Sequence, residues 1–125
     1  MSKRDNPYNE LKQIFHEPNR LAIMSALCNA DDGLTFNTLK EECGLTDGNL
    51  SRHLKALEQA KAVRIKKSFA GSRPQTTVFL SDRGRDRFIE YLQALEEVLN
   101  KAAESLAPAE KTSRVPSPWA KTVRA

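Results

Sequence analysis

The residues best suited to chemistry lie in one stretch of mixed apolar and polar character, residues 46–60. Leu50, Leu54 and Leu57 recur at the i, i+4, i+7 spacing of a single buried helix face. A turn of about 100° per residue then places a set of polar or small residues on, or beside, the opposite face. The members of this polar face are Gly48, Asn49, Ser51, Arg52, Lys55 and Gln59.

The chemistry of this polar face suits the edges and the backbone of a nucleic acid. Asn49 and Arg52 offer the paired hydrogen-bonding groups that match adenine and guanine edges. Ser51 and Lys55 suit phosphate oxygens. His53 lies about 60° from the leucine face, where it either reaches a phosphate or packs at the edge of the core. Any exposed amphipathic helix turns polar residues outward, so the neighbouring segments must decide what this face does.

The charges that follow the polar face are all of one sign. Residues 61–80 contain five basic and no acidic side chains, namely Lys61, Arg64, Lys66, Lys67 and Arg73. The whole chain carries only +4, and a second excess lies in residues 107–125, with four basic groups and one acidic group. Such a patch is the electrostatic footprint expected for phosphates, and an arginine on a loop suits a narrow minor groove. The alternative is a lysine-rich strand edge that only resists aggregation.

Two short helices must position the polar face. Thr35 is expected to cap the first, Gly44 to end it in the left-handed conformation, and Thr46 to cap the second. Two short helices joined by a tight turn that contains glycine form a helix-turn-helix candidate over residues 35–60. Apolar spacing predicts two further helices upstream, within residues 8–28.

After the helix-turn-helix the predicted secondary structure changes first to strands and then back to a helix. Residues 61–80 follow the period of strands around turn-forming residues 70–74, which predicts a β-hairpin with a loop at its tip. Ser81 then caps a long helix over residues 82–106. Its apolar residues follow a heptad spacing, at Phe88, Leu92, Leu95, Leu99, Ala102 and Leu106. The predicted fold is therefore mostly α with a small β-hairpin wing.

The long helix also predicts a dimer. It would extend about 37 Å, which is more than a domain of this size can cover, and a second apolar stripe runs through Ile89, Tyr91 and Val98. The heptad-spaced residues from Phe88 to Leu106 could pack on their own domain. Pairing with a second chain is the favoured interpretation, and the first helix would contribute to that interface. The predicted interface consists of Leu11, Ile14, Phe15, Phe88, Leu92, Leu95, Leu99 and Leu106. A two-fold dimer would present two recognition helices about 34 Å apart and therefore predicts a pseudo-palindromic site.

Length and composition exclude several classes of protein. With 125 residues and 14.0 kDa the chain offers one domain, which we place at residues 1–106, followed by a proline-containing tail at residues 107–125 that we expect to be disordered. We find no catalytic constellation and expect neither an enzyme, a cofactor nor a metal site. Cys28 and Cys43 lack paired spacing and fall on inward stripes, where thiols usually act as small apolar groups. Without a signal peptide or a membrane-length apolar run, the expected location is the cytoplasm.

Residues 44–85, with the sequence GLTDGNLSRHLKALEQAKAVRIKKSFAGSRPQTTVFLSDRGR, resemble the recognition helix and wing of ArsR- and MarR-type winged-helix regulators from bacteria and archaea. The segment HEPNRLAIMSAL, residues 16–27, resembles their second helix, and the similarity spans roughly residues 8–106. The resemblance implies a dimeric DNA-binding repressor or activator whose first and last helices form the dimer interface. It implies a wing-tip position for Arg73 and groove-facing positions for Thr46, Asn49, Ser51, Arg52, His53 and Lys55. The second and third helices lack the paired-cysteine motif of metal-sensing ArsR proteins, so metal sensing is not expected.

Together these features predict a winged helix-turn-helix protein that binds double-stranded DNA as a homodimer and regulates transcription. The recognition helix would enter the major groove, while Arg64, Lys66 and Arg73 of the wing would contact the backbone and minor groove. The alternative is a protein-interaction module, with the basic hairpin on an acidic partner and the tail around Trp119 acting as a recognition peptide. The sequence identifies neither an operator, nor the direction of regulation, nor a small-molecule effector.

Overall fold

The computed structural model describes residues 7–106, which form five helices and one three-stranded antiparallel sheet. The predicted tail and Trp119 lie outside the described residues. In chain order the elements are α1 (Pro7–Phe15), α2 (Pro18–Cys28), β1 (Leu34–Thr35), α3 (Phe36–Cys43), α4 (Asp47–Gln59), β2 (Val63–Ala70), β3 (Arg73–Leu80) and α5 (Asp82–Leu106). The predicted fold class, mostly helical with a β-hairpin wing and a long last helix, is confirmed.

The predicted helix boundaries agree with the capping residues. The hydroxyls of Thr35 and Thr46 each accept a hydrogen bond from a backbone N–H three residues later, both at 3.1 Å. Gly44 ends α3 in the left-handed conformation with φ 66. Ser81 Oγ accepts from the N–H of Gly84 at 2.8 Å and so caps α5. These local interactions fix where the two short helices and the long helix begin.

The sheet has the order β1-β3-β2, so β3 lies in the middle and β2 at an edge. The two-residue strand β1, which pairs with Thr77 and Val78, was not predicted because so short a segment shows no period. The hairpin is also longer than predicted. Ala70 pairs with Arg73, so the expected loop at residues 70–74 is reduced to a tight turn at Gly71 and Ser72. Backbone pairing alone carries the strands to the tip, where no side chain is buried.

One continuous core joins the helices to the sheet. Leu39, Leu50 and Leu57 are fully buried between α3, α4 and the neighbouring elements, and Val78 closes the core from the sheet. At the other side of the molecule α1 packs on α5 through an aromatic cluster. The ring centroids of Phe15 and Phe88 are 5.2 Å apart, in an edge-to-face arrangement. This cluster holds the long helix against the domain.

The aromatic cluster corrects part of the predicted dimer interface. Leu11, Phe15 and Phe88 are buried within one chain, because the apolar stripes of α1 and α5 cover each other. Their side chains therefore do not form the surface that would meet a second chain. The rest of the predicted stripe becomes progressively exposed toward the end of α5. Leu92 and Leu95 are half-buried, whereas Leu99 is 59% and Leu106 82% exposed.

The two cysteines also differ from the prediction in part. Both are free thiols; Cys43 is half-buried, whereas Cys28, the last residue of α2, is exposed. Burial, followed by the negative charge of Glu42, raises the pKa of the Cys43 thiol. A protonated thiol is a poor metal ligand. Within residues 7–106 there is no cluster of three or more side chains arranged to hold a metal ion.

Candidate nucleic-acid interface

Helix α4 turns its polar face outward because its leucines are buried. Leu50, Leu54 and Leu57 face the core, as the i, i+4, i+7 spacing predicts. The remaining side chains on the solvent side are exposed, except for Asn49, which is half-buried. The exposed set consists of Thr46, Gly48, Ser51, Arg52, Lys55 and Gln59. The fold therefore presents one continuous polar surface along this helix.

Two side chains of this surface form a pair. Arg52 Nη2 donates a hydrogen bond to Asn49 Oδ1 at 2.8 Å. This bond fixes the direction of the guanidinium before any ligand arrives, and it leaves the amide N–H groups of Asn49 and further N–H groups of Arg52 available as donors. Thr46 accepts from the backbone N–H of Asn49, so its hydroxyl oxygen serves the helix cap. The chemistry of the surface is thus concentrated at the N-terminal half of α4.

His53 does not belong to the exposed surface. His53 is 6% exposed and lies at the core's edge, so of the two positions that the sequence left open the structure favours packing at the core over a place in the groove. Nδ1 accepts a hydrogen bond from Arg20 Nε at 3.4 Å, and Nε2 lies 3.8 Å from Glu17 Oε1. An acceptor at Nδ1 assigns the proton to Nε2, which faces the carboxylate. His53 therefore connects α4 to the start of α2.

Arg20 was not among the sequence-based candidates, yet it joins three helices. Besides its contact with His53, Arg20 Nη1 donates to the backbone carbonyls of Gln13 at 3.4 Å and Ile14 at 3.2 Å. These carbonyls lie at the end of α1, where helices leave acceptors without intrahelical partners. Glu17 caps α2 by accepting from the N–H of Asn19 at 2.8 Å. The segment of residues 16–20 thereby positions α4 relative to α1.

A second contact holds the N-terminus of α4. Lys40 Nζ of α3 lies 2.8 Å from Asp47 Oδ1, and Asp47 also suits the positive end of the helix dipole. Because Asp47 is exposed and Lys40 only half-buried, solvent screens the pair, which contributes at most about 1 kcal/mol. Its effect is to fix the turn between α3 and α4.

The hairpin presents two faces because strand side chains alternate. Arg64 and Lys66 lie on one face of β2, and the guanidinium of Arg64 lies over the ring of Phe79, with 5.2 Å between its central carbon and the ring centroid. Lys67 lies on the other face. From Lys66 to Ala70 every residue of β2 is exposed, so the distal half of the hairpin projects beyond the body of the domain.

The tip of the hairpin carries one arginine and one aromatic ring. Arg73 is exposed and is the first residue of β3, next to the turn, rather than part of a longer loop. Phe69, opposite Pro74, is 70% exposed, and it was not among the sequence-based candidates. In the sequence, only the position of Phe69 on a predicted strand next to turn-forming residues indicated that its ring lies at the hairpin tip. The tip therefore combines positive charge with an exposed apolar ring.

The basic side chains of the hairpin are free of acidic partners in the part of the chain that the structure describes. None of the ion pairs among the described residues includes a residue of the segment 61–80. Unpaired cations raise the local potential and attract phosphates. The helix-turn-helix of α3 and α4, the three-stranded sheet and the projecting hairpin together define a winged helix.

Comparisons with known proteins agree with this fold. The family model described as a winged helix DNA-binding domain matches residues 19–99. The uncharacterized protein MJ0432 of Methanocaldococcus jannaschii is 39% identical over 80 residues, which is 64% of this chain and 86% of that protein. A transcriptional regulator homologue from Pyrococcus horikoshii OT3 has 30% identity and a TM-score of 0.69, covering 77% of this chain and 96% of that one. A MarR family transcriptional regulator from Silicibacter pomeroyi DSS shares the fold at 21% identity, with a TM-score of 0.55 over 80% of this chain and 68% of that chain.

The chain belongs to the family of winged helix DNA-binding domains. It therefore contains a winged helix DNA-binding domain, and it shares its fold with solved transcriptional regulators, one of them a MarR family protein. Among the helices within residues 7–106, none is both long and apolar enough to span a bilayer.

Proposed function

We propose that the protein is a homodimeric, sequence-specific regulator of transcription whose helix α4 enters the major groove of double-stranded DNA. The observation that carries this proposal is the hydrogen-bonded Asn49–Arg52 pair on the solvent side of a leucine-backed helix, next to a hairpin without acidic residues. A pre-oriented guanidinium beside a free amide is suited to base edges, whereas scattered surface charges are not. The proposal places the protein in the cytoplasm, together with its DNA.

Each part of the interface has a distinct role in the proposal. Arg52 donates to guanine N7 and O6, and Asn49 donates to a neighbouring base or to Arg52's own target. Ser51 and Lys55 contact phosphates on either side of the groove, and Thr46 lies at the N-terminal end of the helix nearest the backbone. On the wing, the phosphate contacts come from Arg64 and Lys66, and the minor-groove contact comes from Arg73.

The exposed end of α5 supports dimerisation. Over its last ten residues the helix leaves the body of the domain, and within residues 7–106 its large apolar side chains Val98, Leu99 and Leu106 are exposed. The proposed interface is the predicted one without its three buried members: Ile14, Leu92, Leu95, Leu99 and Leu106. A two-fold axis through α5 would give half-sites about one helical turn, or 34 Å, apart.

Fluorescence anisotropy with the duplex upstream of the protein's own gene tests these roles. Arg52→Ala should bind all duplexes with similar affinity because the base contact is lost. Arg73→Ala should weaken binding to every duplex and reduce the dependence on salt concentration, because a contact with the charged backbone is lost. If both variants bind as the wild type does, the groove assignment is wrong.

A second candidate is a protein-interaction module, and the exposed Phe69 favours it. An apolar ring among cations at a hairpin tip also suits an acidic protein partner with an apolar groove. Affinity purification after nuclease treatment separates the two candidates. A stable protein partner that Phe69→Ser abolishes, together with an absence of sequence preference on DNA, would support this second function.

A further inference from the structure

A basic groove of about 690 Å³ lies where the end of α4, the first half of β2 and the start of α5 meet. Four basic side chains, Lys61, Arg64, Lys66 and Arg83, line it together with the single acidic residue Glu58. Four positive charges and one negative charge leave the groove with a net +3. None of these cations belongs to an ion pair of the described residues. The groove thus holds positive charge that no ion pair of the described residues neutralises, although the guanidinium of Arg64 also lies over the ring of Phe79.

Lys61 reaches this groove from a backbone conformation that side chains other than glycine's disfavour. It follows the cap of α4 with φ 64, and it is the one residue with positive φ within residues 7–106 that is not glycine. The residue in left-handed conformation at the end of a helix is commonly glycine, as Gly44 is at the end of α3. A lysine in this conformation costs backbone energy that glycine would avoid, and such strained residues cluster at functional sites.

The backbone beneath Lys61 is held firmly. The hydroxyl of Ser81 donates to the Lys61 carbonyl at 2.8 Å, and the N–H of Ser81 donates to the Ala62 carbonyl at 3.1 Å. Gly84 lies so close to Ala62 that an added Cβ would clash with the Ala62 carbonyl. The first turn of α5 therefore packs directly against residues 61–62. The side chain of Lys61 therefore extends into the groove from a backbone segment that is held by hydrogen bonds and close packing, not from a flexible loop.

The groove is separate from the tip of the wing. Arg64 is six residues from the end of β2, which at about 3.3 Å per residue puts it roughly 20 Å from the turn. The groove instead contacts the recognition helix, the base of the wing and the long helix at once. An occupant would therefore touch the element proposed to contact DNA and the element proposed to hold the dimer.

We propose that this groove is a binding site for a phosphate-bearing anion. Several unpaired cations around an open groove match the several oxygens of a phosphate ester or diphosphate. The same chemistry has two sources: a free phosphorylated small molecule, or backbone phosphates of a duplex that extends past the wing. The second source rests on the proposed function, whereas the first does not. The variants below separate the two.

Lys61→Gly is the central variant because it removes the charge and relaxes the backbone together. Its thermal unfolding midpoint should equal or exceed that of the wild type, so any loss of binding is not a loss of folding. Arg83→Gln removes a second cation, which lines the groove from the first turn of α5. Lys101→Gln is the matched control, since it neutralises an exposed lysine of α5 that does not line the groove.

Two titrations are made on the full chain in a buffer free of phosphate. In the first, inorganic pyrophosphate is added to ¹⁵N-labelled protein, and amide shifts are followed over residues 61–66 and 81–83. In the second, duplex affinity is measured across salt concentrations. If the ligand is a free phosphorylated molecule, Lys61→Gly and Arg83→Gln should each weaken pyrophosphate binding about tenfold. If the groove binds backbone phosphates, each variant should lower the slope of duplex affinity against salt by about one unit. Lys101→Gln should match the wild type in both titrations.

The outcomes decide whether the groove binds phosphate and which of the two sources supplies it. Pyrophosphate binding that both groove variants weaken about tenfold identifies a site for a free phosphorylated ligand. A reduced salt slope without pyrophosphate binding identifies backbone phosphates. If the groove variants and Lys101→Gln match the wild type in both titrations, or if no pyrophosphate binds and the slope is unchanged, the groove is not a phosphate site. A wild type that binds no duplex at all refutes the proposed function but leaves the pyrophosphate result to decide the groove.

Discussion

Leu99→Ala tests whether the exposed end of α5 joins two chains. In the single chain the Leu99 side chain is 59% exposed, and burying a whole leucine side chain is worth about 2 kcal/mol. Covering the exposed fraction by a partner is therefore worth about 1.2 kcal/mol. A two-fold axis buries both copies, so the variant should cost the dimer about 2.4 kcal/mol, or roughly a 50-fold rise in its Kd.

Sedimentation equilibrium over a wide range of protein concentration measures this change directly. Alanine favours helices at least as well as leucine, so α5 should keep its helicity, which circular dichroism would verify. Lys101→Ala is the matched control, because Lys101 is exposed on the same part of the helix and lies outside the apolar stripe. A dimer Kd of Leu99→Ala equal to that of Lys101→Ala would refute the proposed interface. A wild type that stays monomeric at high concentration would refute dimerisation altogether.

Three further predictions concern the fold around the interface. Phe15→Ala should lower the free energy of unfolding in urea by about 3–5 kcal/mol, because it empties the centre of the aromatic cluster, and a loss below 1 kcal/mol would contradict that packing. Arg20→Gln should lower the free energy of unfolding by about 1–3 kcal/mol and weaken DNA binding, because His53 and the α1 carbonyls lose their donor; unchanged DNA affinity would show that Arg20 does not position α4. Phe69→Ser should change the free energy of unfolding by no more than about 0.5 kcal/mol, since the ring is exposed, and a larger loss would mean that the ring supports the hairpin.

The sequence predicted the fold well because its signals are local. The capping residues Thr35, Thr46 and Ser81 satisfy backbone groups within their own helices, so their positions follow from neighbouring residues alone. The leucine spacing of α4 likewise determines which face is buried. The two-residue strand β1 escaped prediction because its pairing partner, β3, lies more than forty residues away in the chain.

The candidate site was predicted less completely, since periodicity gives a face but not the neighbour that covers it. Leu11, Phe15 and Phe88 follow the apolar stripes as expected, yet α1 and α5 cover each other. His53 lies between the two faces of α4, and the structure buries it beside Glu17 and Arg20, which belong to a segment distant in the chain. Contacts between residues distant in the chain are not encoded in the spacing of either helix.

The most direct test of DNA recognition is the specificity ratio of the wild type and Arg52→Ala. A duplex enriched by selection from a random library and a scrambled duplex of equal length are titrated at one salt concentration by anisotropy. The wild type should prefer the selected, pseudo-palindromic duplex by about 10³-fold or more. Arg52→Ala should reduce that ratio at least tenfold, since a bidentate base contact is worth about 1–3 kcal/mol, and leave binding to the scrambled duplex nearly unchanged. A wild type without preference, or an Arg52→Ala ratio equal to that of the wild type, would contradict recognition of DNA sequence by α4.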